Sequence, residues 1–248
     1  GMKKFLKRLL IVLGILLAVW CLLYTLPRPQ NYALENPMRR DGELPILIAH
    51  GGGHLEFPDN TLEAFYNAYS VDPRVMMETD VSITKDGVLI LSHDTTLDRK
   101  TNVTGAIADW NYSDLMAQKV DFGYTNFLDE TYQFTGERMH FTADDGQPRY
   151  PTDDEYPENR INVEIKQDGE LGMQALREAL RLLEKYDAFG RVVLASFHNE
   201  VYAEFQRLQA DGEVPDCFMY SPATDAVTRF YVLQLLNADS FFPDGMCV

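Results

Sequence analysis

The hydrophobic positions of this chain follow four different spacings, and each predicts a different element. An uncharged run extends from Leu9 to Leu26. At about 1.5 Å per residue it reaches ~27 Å as a helix, close to the thickness of a bilayer core. A second, short apolar run, Pro45 to Ala49, ends in His50 and three glycines. Continuous apolar character of this length predicts a parallel strand buried on both faces. Period-two alternation appears twice. In Met76–Thr84, Glu78, Asp80, Ser82 and Thr84 point one way and Met77, Thr79, Val81 and Ile83 the other. In Asn159–Lys166, Asn162, Glu164 and Lys166 alternate with Ile161, Val163 and Ile165. Helical spacing marks 60–69, with Leu62, Phe65, Tyr66 and Tyr69 on one side and a capping box of Asn60 and Glu63. It returns in 172–186, 200–211 and 225–236. Strands at 191–196 and 217–220 separate those helices, and Phe241 to Val248 opens a further strand. Strand and helix in alternation predict parallel βα units.

Turn chemistry joins the first alternating strand to the next. Asp86-Gly87 is a strong hairpin signal. With a two-residue turn Lys85 pairs with Val88, which sets His93 opposite Asp80 and gathers Glu78, Asp80 and His93 into one cluster. Such alternation is also how any antiparallel sheet meets water. The apolar Asn159–Lys166 strand weighs the other way, because a carboxylate and an ammonium on an interior strand need a reason to be there. Residues 95–123 read as turns with a short helix from Ser113, and 124–158 as an acidic loop or small insertion.

Composition narrows the function classes. The chain has 248 residues, 46% hydrophobic and 24% charged, and a net charge of −16. It fits one globular core with an appendage. The acidic balance argues against nucleic acid as a partner. Cys21, Cys217 and Cys247 show neither metal spacing nor a disulfide framework. Lys3, Lys4, Lys7 and Arg8 precede the long apolar run, and Trp20 and Tyr24 sit near its far end. This pattern predicts a cytoplasmic basic segment at 1–8, an uncleaved single transmembrane anchor at 9–26, a Pro-rich linker at 27–44 and an extracytoplasmic domain from 45 onward. The glycines after His50 do not make a phosphate-binding P-loop, since no Lys-Ser/Thr follows; they let backbone approach a ligand closely.

Several pieces together resemble the glycerophosphodiester phosphodiesterase family, a TIM-type barrel of the phospholipase C-like superfamily. They are Ala49-His50, Pro58-Asp59-Asn60-Thr61-Leu62, Glu78-Thr79-Asp80-Val81, Thr84-Lys85-Asp86-Gly87-Val88, Ser92-His93-Asp94, Thr96-Leu97-Asp98-Arg99, Thr101-Asn102-Val103-Thr104-Gly105, Asn162-Val163-Glu164-Ile165-Lys166 and Ser196-Phe197-His198. The resemblance implies an α/β barrel, preceded here by one transmembrane helix and lacking its C-terminal strands: 45–248 is short of the typical ~250 residues. It implies His50 and His93 as catalytic histidines, with Lys166 facing phosphate. It implies Glu78, Asp80 and Glu164 as ligands of one divalent cation, Ca²⁺ or Mg²⁺, which three carboxylates without a cysteine would suit. Gly51, Asn60 and Arg99 fall at the substrate. The implied reaction is hydrolysis of a glycerophosphodiester to glycerol 3-phosphate and an alcohol. The alternatives are lysophospholipase D-like action on membrane lipids, or a barrel that binds without catalysis. One departure stands at the site: Gly51 occupies the position where the family has an arginine. The phosphate contact it would make is then missing or supplied by Arg99 or Lys166.

Overall fold

A computed structural model describes residues 1–27, 46–53, 55–118, 120, 123–133, 141–142, 148–149, 159–215 and 218–241. The chain is an α/β protein of the TIM-barrel class, built on a mainly parallel sheet. Helix α1 (Met2–Tyr24) stands at the front. Strand β1 (Ile48–Ala49), helix α2 (Leu62–Val71), strand β2 (Met76–Ile83) and strand β3 (Leu89–Leu91) follow. Short helix α3 is Tyr112–Met116. The acidic segment holds two small hairpins, β4 (Gly123–Thr125) with β5 (Thr131–Gln133), and β6 (Phe141–Thr142) with β7 (Pro148–Arg149). Regular βα units then run through β8 (Ile161–Ile165), α4 (Gly169–Lys185), β9 (Val192–Ala195), α5 (Asn199–Ala210), β10 (Met219–Tyr220) and α6 (Thr224–Leu235).

The parallel strands lie in the order β1-β2-β8-β9-β10, and β3 pairs antiparallel with β2. All eight residues of β2 are buried. Its apolar side, with Val81 and Ile83, packs with Ile165, Val192 and Leu194 onto Leu176 of α4 and Val201, Phe205 and Leu208 of α5. Each of these large side chains contributes about 1.5–3 kcal/mol on burial. Packing of that side against helices turns Glu78, Asp80, Asn162 and Glu164 to the opposite side of the sheet. Buried Gln167 clamps the far end of β2: its Oε1 accepts from Ile83 N at 2.6 Å and its Nε2 donates to Ile83 O at 3.1 Å.

Four local expectations change. The hairpin turn is one residue longer: Thr84 N donates to Val88 O at 2.9 Å, Lys85-Asp86-Gly87 forms the loop, and Gly87 takes φ +84°. Thr84 Oγ1 causes this by accepting from Val88 N at 3.0 Å while it donates to Asp86 Oδ1 at 2.7 Å. The register therefore slips by one, and Ser92, not His93, lies opposite Asp80. Helix α2 is capped by Thr61, which accepts from Ala64 N at 3.2 Å, and not by Asn60. Strand β1 is not buried on both faces: among the described residues only β2 pairs with it, and Leu47 and Ile48 stay 65% and 55% exposed. Helix α4 begins three residues before the expected Gly172, at Gly169, whose N–H is held by Glu200 Oε1 at 2.8 Å from α5. The expected linker lies almost wholly outside the described residues, as does the strand expected after Phe241; Phe241 itself ends a single helical turn.

Helix α1 is long and apolar enough to cross a membrane, a test that a signal sequence would also pass, and none of its residues is buried. Its far end meets α6: Trp20 Nε1 donates to Leu235 O at 2.9 Å, and Asn237 Nδ2 donates to Trp20 O at 3.2 Å.

Helices α4 and α5 are joined through Glu204, which accepts from Arg207 at 2.8 and 3.0 Å and from Arg177 at 3.1 Å. The hydrogen bonds from Arg207 outweigh burial and hold the Glu204 carboxyl down at about 2, against an ordinary 4.5. The unfolded chain therefore takes up this proton at higher pH than the folded one. The stabilisation is whole above about pH 4.5 and is lost as pH falls toward 2. Because both guanidiniums are half exposed, we expect Glu204→Gln to cost about 1–2 kcal/mol at neutral pH. The cost should shrink at pH 3, read as the difference in Tm from the unsubstituted protein. A gap that stays constant with pH would refute the ion pair's role.

Candidate active site

The site begins with strand register. Parallel pairing sets Glu78 beside Asn162 and Asp80 beside Glu164. Partners in register share a face, so two strands present three carboxylates side by side. Carboxylate oxygens of Glu78, Asp80 and Glu164 all lie within 4.8 Å of one another, a spacing that could hold a metal ion. Lys166, two residues beyond Glu164, donates to Glu164 Oε1 at 2.9 Å and sits 3.6 Å from Asp80 Oδ1. Burial alone would lower its pKa; the hydrogen bond and charge of Glu164, with Asp80 behind, outweigh that and keep the ammonium charged. Burial raises Glu78 above the usual carboxylate range. A hydrogen bond from Gly51 N at 2.7 Å opposes this, Asp80 and Glu164 push the pKa higher, and His50 pulls it down. The donor set consists of oxygens. The side-chain oxygen of Asn162, next to Glu78 in register, is buried without a hydrogen-bond partner among the described residues. Three carboxylates and an uncommitted amide oxygen fit a hard divalent cation.

The turn after β1 brings His50 and Gly51 to this cluster. His50 is exposed on a one-turn helix, close enough to Glu78 to act on its charge. Gly51, Gly52 and Gly53 have φ of +56°, +81° and +95°. Gly51 and Gly52 let backbone approach protein closely. Gly51 donates to Glu78, and a Cβ on Gly52 would stand 2.8–2.9 Å from atoms of Ala64 and Phe65. Asn60, expected at the substrate, is committed to the protein. Its Nδ2 donates to Asp80 Oδ2 at 3.0 Å, and its Oδ1 accepts from Thr79 Oγ1 at 2.7 Å and Asp80 N at 3.0 Å. A φ of +60° aims it there, which is why Thr61 takes over the helix cap.

His93 is placed differently from the expectation, and its side-chain hydrogen bond is with Asp94 and not with the triad. It follows the end of β3, in the bend after Ser92. Its Nδ1 lies 2.8 Å from Asp94 Oδ1, and Arg99 donates to the same carboxylate at 2.6 and 2.8 Å. The paired hydrogen bonds from Arg99 hold the Asp94 carboxyl far below its ordinary range. An ionised Asp94 favours the tautomer with the proton on Nδ1 and leaves Nε2 as a base. Arg99, expected at phosphate, is thus engaged in orienting the His93 dyad. Sequence reading missed Asp94 as an orienting group, although it directly follows His93. It also missed Asn162 as an oxygen donor, although it shares the face of Glu164.

The model of the glycerophosphoryl diester phosphodiesterase family matches residues 50–246. The chain belongs to this family. A glycerophosphodiester phosphodiesterase from Caldanaerobacter subterraneus is 29% identical over 62% of this chain and 58% of its own length. A lysophospholipase D from Rattus norvegicus is 30% identical over 60% of this chain and 45% of its own. The chain thus spans less than two thirds of either relative. The glycerophosphoryl diester phosphodiesterase domain of a Mycobacterium tuberculosis protein superposes with a TM-score of 0.54 at 19% identity, covering 79% of this chain and 66% of that one.

In this chain, position 51 is closed to side chains. An ideal Cβ there would lie 2.8 Å from Asp59 Cβ, at a φ of +56°. We expect Gly51→Ala to destabilise the fold by about 1–2 kcal/mol and to lower activity by loosening Glu78. A Tm equal to that of the unsubstituted protein would show that the turn relaxes freely.

Proposed function

We propose that this protein hydrolyses glycerophosphodiesters to glycerol 3-phosphate and an alcohol, using one divalent cation and two histidines. The observation that carries this reading is the carboxylate triad on two adjacent strands, buried Glu78 and Asp80 and half-buried Glu164 within 4.8 Å, with Lys166 and His50 beside it. Carboxylates concentrated in a sheet interior repel one another, which a structural role alone would not favour. The triad would hold Ca²⁺ or Mg²⁺, which when bound neutralises charge on phosphoryl oxygens. His50 and His93 would serve as the base that takes a proton from the attacking hydroxyl and the acid that gives one to the leaving alcohol. Asp94 fixes the proton on Nδ1 of His93, and Lys166 adds positive charge beside the triad. The test is release of glycerol 3-phosphate from glycerophosphocholine, abolished by EDTA and restored by Ca²⁺ or Mg²⁺. No release from any of a panel of diesters would leave a binding barrel as the reading.

A second reading, lysophospholipase D action on a membrane lipid, has one observation in its favour. Leu55, on the loop from His50 to Asn60, is 56% exposed, and Phe127 and Leu128 beside it are each 61% exposed. Phe127 N donates to Leu55 O at 2.8 Å, so the three form an apolar rim. The position of the anchor counts against it. Helix α6 starts at the site end of β9, where Thr224 Oγ1 donates to Phe197 O at 3.0 Å, and its other end meets Trp20. A helix of this length separates anchor and mouth by about 18 Å. We therefore favour a water-soluble diester, with the basic N-terminus cytoplasmic and the mouth turned away from the bilayer. Equal turnover of glycerophosphocholine and micellar lysophosphatidylcholine would reverse that preference.

A further inference from the structure

The reaction proposed above brings a phosphate anion to the triad, and resting on that reading one asks which cation besides the metal meets it. Position 51 cannot supply one, being a glycine with no room for a Cβ. Of the two substitutes suggested by sequence, one is committed elsewhere and the other is already part of the triad's own charge balance. Arg99 spends Nε and Nη2 on Asp94. Lys166 is bound to Glu164 and faces Asp80.

A third cation is tied to the residue that closes position 51. Lys100 Nζ is hydrogen-bonded to Asp59 Oδ2, and the two side chains are only 22% and 20% exposed. Asp59 is the residue whose Cβ closes position 51. Its Oδ2 also accepts from Asn60 Nδ2 at 3.3 Å, and that same nitrogen donates to Asp80 Oδ2 at 3.0 Å. Lys100 therefore stands three hydrogen bonds from Asp80 of the triad, through Asp59 and Asn60. An ammonium has three donors, and Asp59 takes one. Five carboxylates, Asp59, Glu78, Asp80, Asp94 and Glu164, surround Lys100, Lys166 and Arg99. A divalent cation closes that balance, so an incoming phosphodiester is not repelled.

We propose that Lys100 is the phosphate-binding cation of this chain: its ammonium, held in place by Asp59, donates to a non-bridging phosphoryl oxygen on the side where Gly51 offers none. The test is calorimetric titration of the full-length protein in detergent with Ca²⁺ or Mg²⁺ present, using glycerol 3-phosphate and, separately, glycerol as probes. Lys100→Gln should weaken glycerol 3-phosphate binding about ten- to a hundredfold and leave glycerol binding unchanged. Lys100→Arg should recover most of the loss. Asp59→Asn, which disrupts the ion pair but keeps the ammonium, should weaken glycerol 3-phosphate less than Lys100→Gln does. Equal losses in Lys100→Gln and Asp59→Asn, or a loss for glycerol as large as that for glycerol 3-phosphate, would mean that Lys100 only braces the loop and would overturn the proposal. So would unchanged binding in Lys100→Gln. If diesters are not hydrolysed but glycerol 3-phosphate binding still depends on Lys100, the catalytic reading fails and this one stands.

Discussion

Alanine at His50 or at His93 is expected to lower turnover of a glycerophosphodiester by about 10²–10⁴-fold while leaving divalent-cation binding in place. The two halves of this expectation have separate grounds. The cation site consists of oxygens on β2 and β8, and neither imidazole belongs to it. His50 stands on an exposed turn beside Glu78, and His93 is held by Asp94. Removing either should therefore take away a proton-transfer group without emptying the carboxylate cluster. Turnover is read from glycerol 3-phosphate release, and cation binding from the rise in Tm on adding Ca²⁺ or Mg²⁺. Asp94→Asn should fall between, because the imidazole stays but its tautomer is no longer fixed. A variant with ordinary turnover would remove that histidine from the chemistry. One that also lost its cation response would show the histidine to be a ligand or a structural support.

Much of this arrangement was legible in the chain because it rests on strict periodicity. Alternation in Met76–Thr84 and Asn159–Lys166 needs only the two-residue repeat of a strand to place Glu78 with Asp80 on one face and Asn162 with Glu164 on another; that the two faces coincide rests on the parallel register of β2 and β8. The βα units from 159 onward carry helical and strand periods long enough to read without their partners. What escaped is what depends on single side chains reaching across the fold. Thr84 hydroxyl chemistry shifted the hairpin by one residue, and no pattern of apolar positions records it. Asn60 has the local signature of a helix cap, but a positive φ turns it to Asp80 and passes the cap to Thr61. Glu200 starts α4 early from a helix that follows it in sequence. Strand β1 reads as interior from its composition, yet Leu47 and Ile48 are exposed because burial depends on neighbours and not on the strand alone. Arg99 and Lys100 are adjacent in sequence and similar in charge. Only their partners separate a group bound to Asp94, beside His93, from one bound to Asp59, beside position 51.

Asp80→Asn should abolish the cation response and lower turnover on the order of 10³-fold. Asp80 is 2% exposed, sits between the other two carboxylates in the strand pair, and is fixed by Asn60 and Lys166. In the metal-free protein its charge is a cost: it raises Glu78 further out of the carboxylate range. The neutral amide relieves that repulsion and gives up some attraction to Lys166, so the metal-free variant should lie within about 1 kcal/mol of the unsubstituted protein. With cation the two should part. Binding at a hundred times Kd stabilises the unsubstituted fold by about 2.7 kcal/mol, a rise of roughly 5–10 °C in Tm for a domain of this size, and the variant should show almost none of it. A merely structural carboxylate predicts the reverse, a variant destabilised with or without cation by the same amount. Thermal melts of both proteins in EDTA and in millimolar Ca²⁺ or Mg²⁺ separate the cases, because only a ligand makes the difference between them depend on the ion.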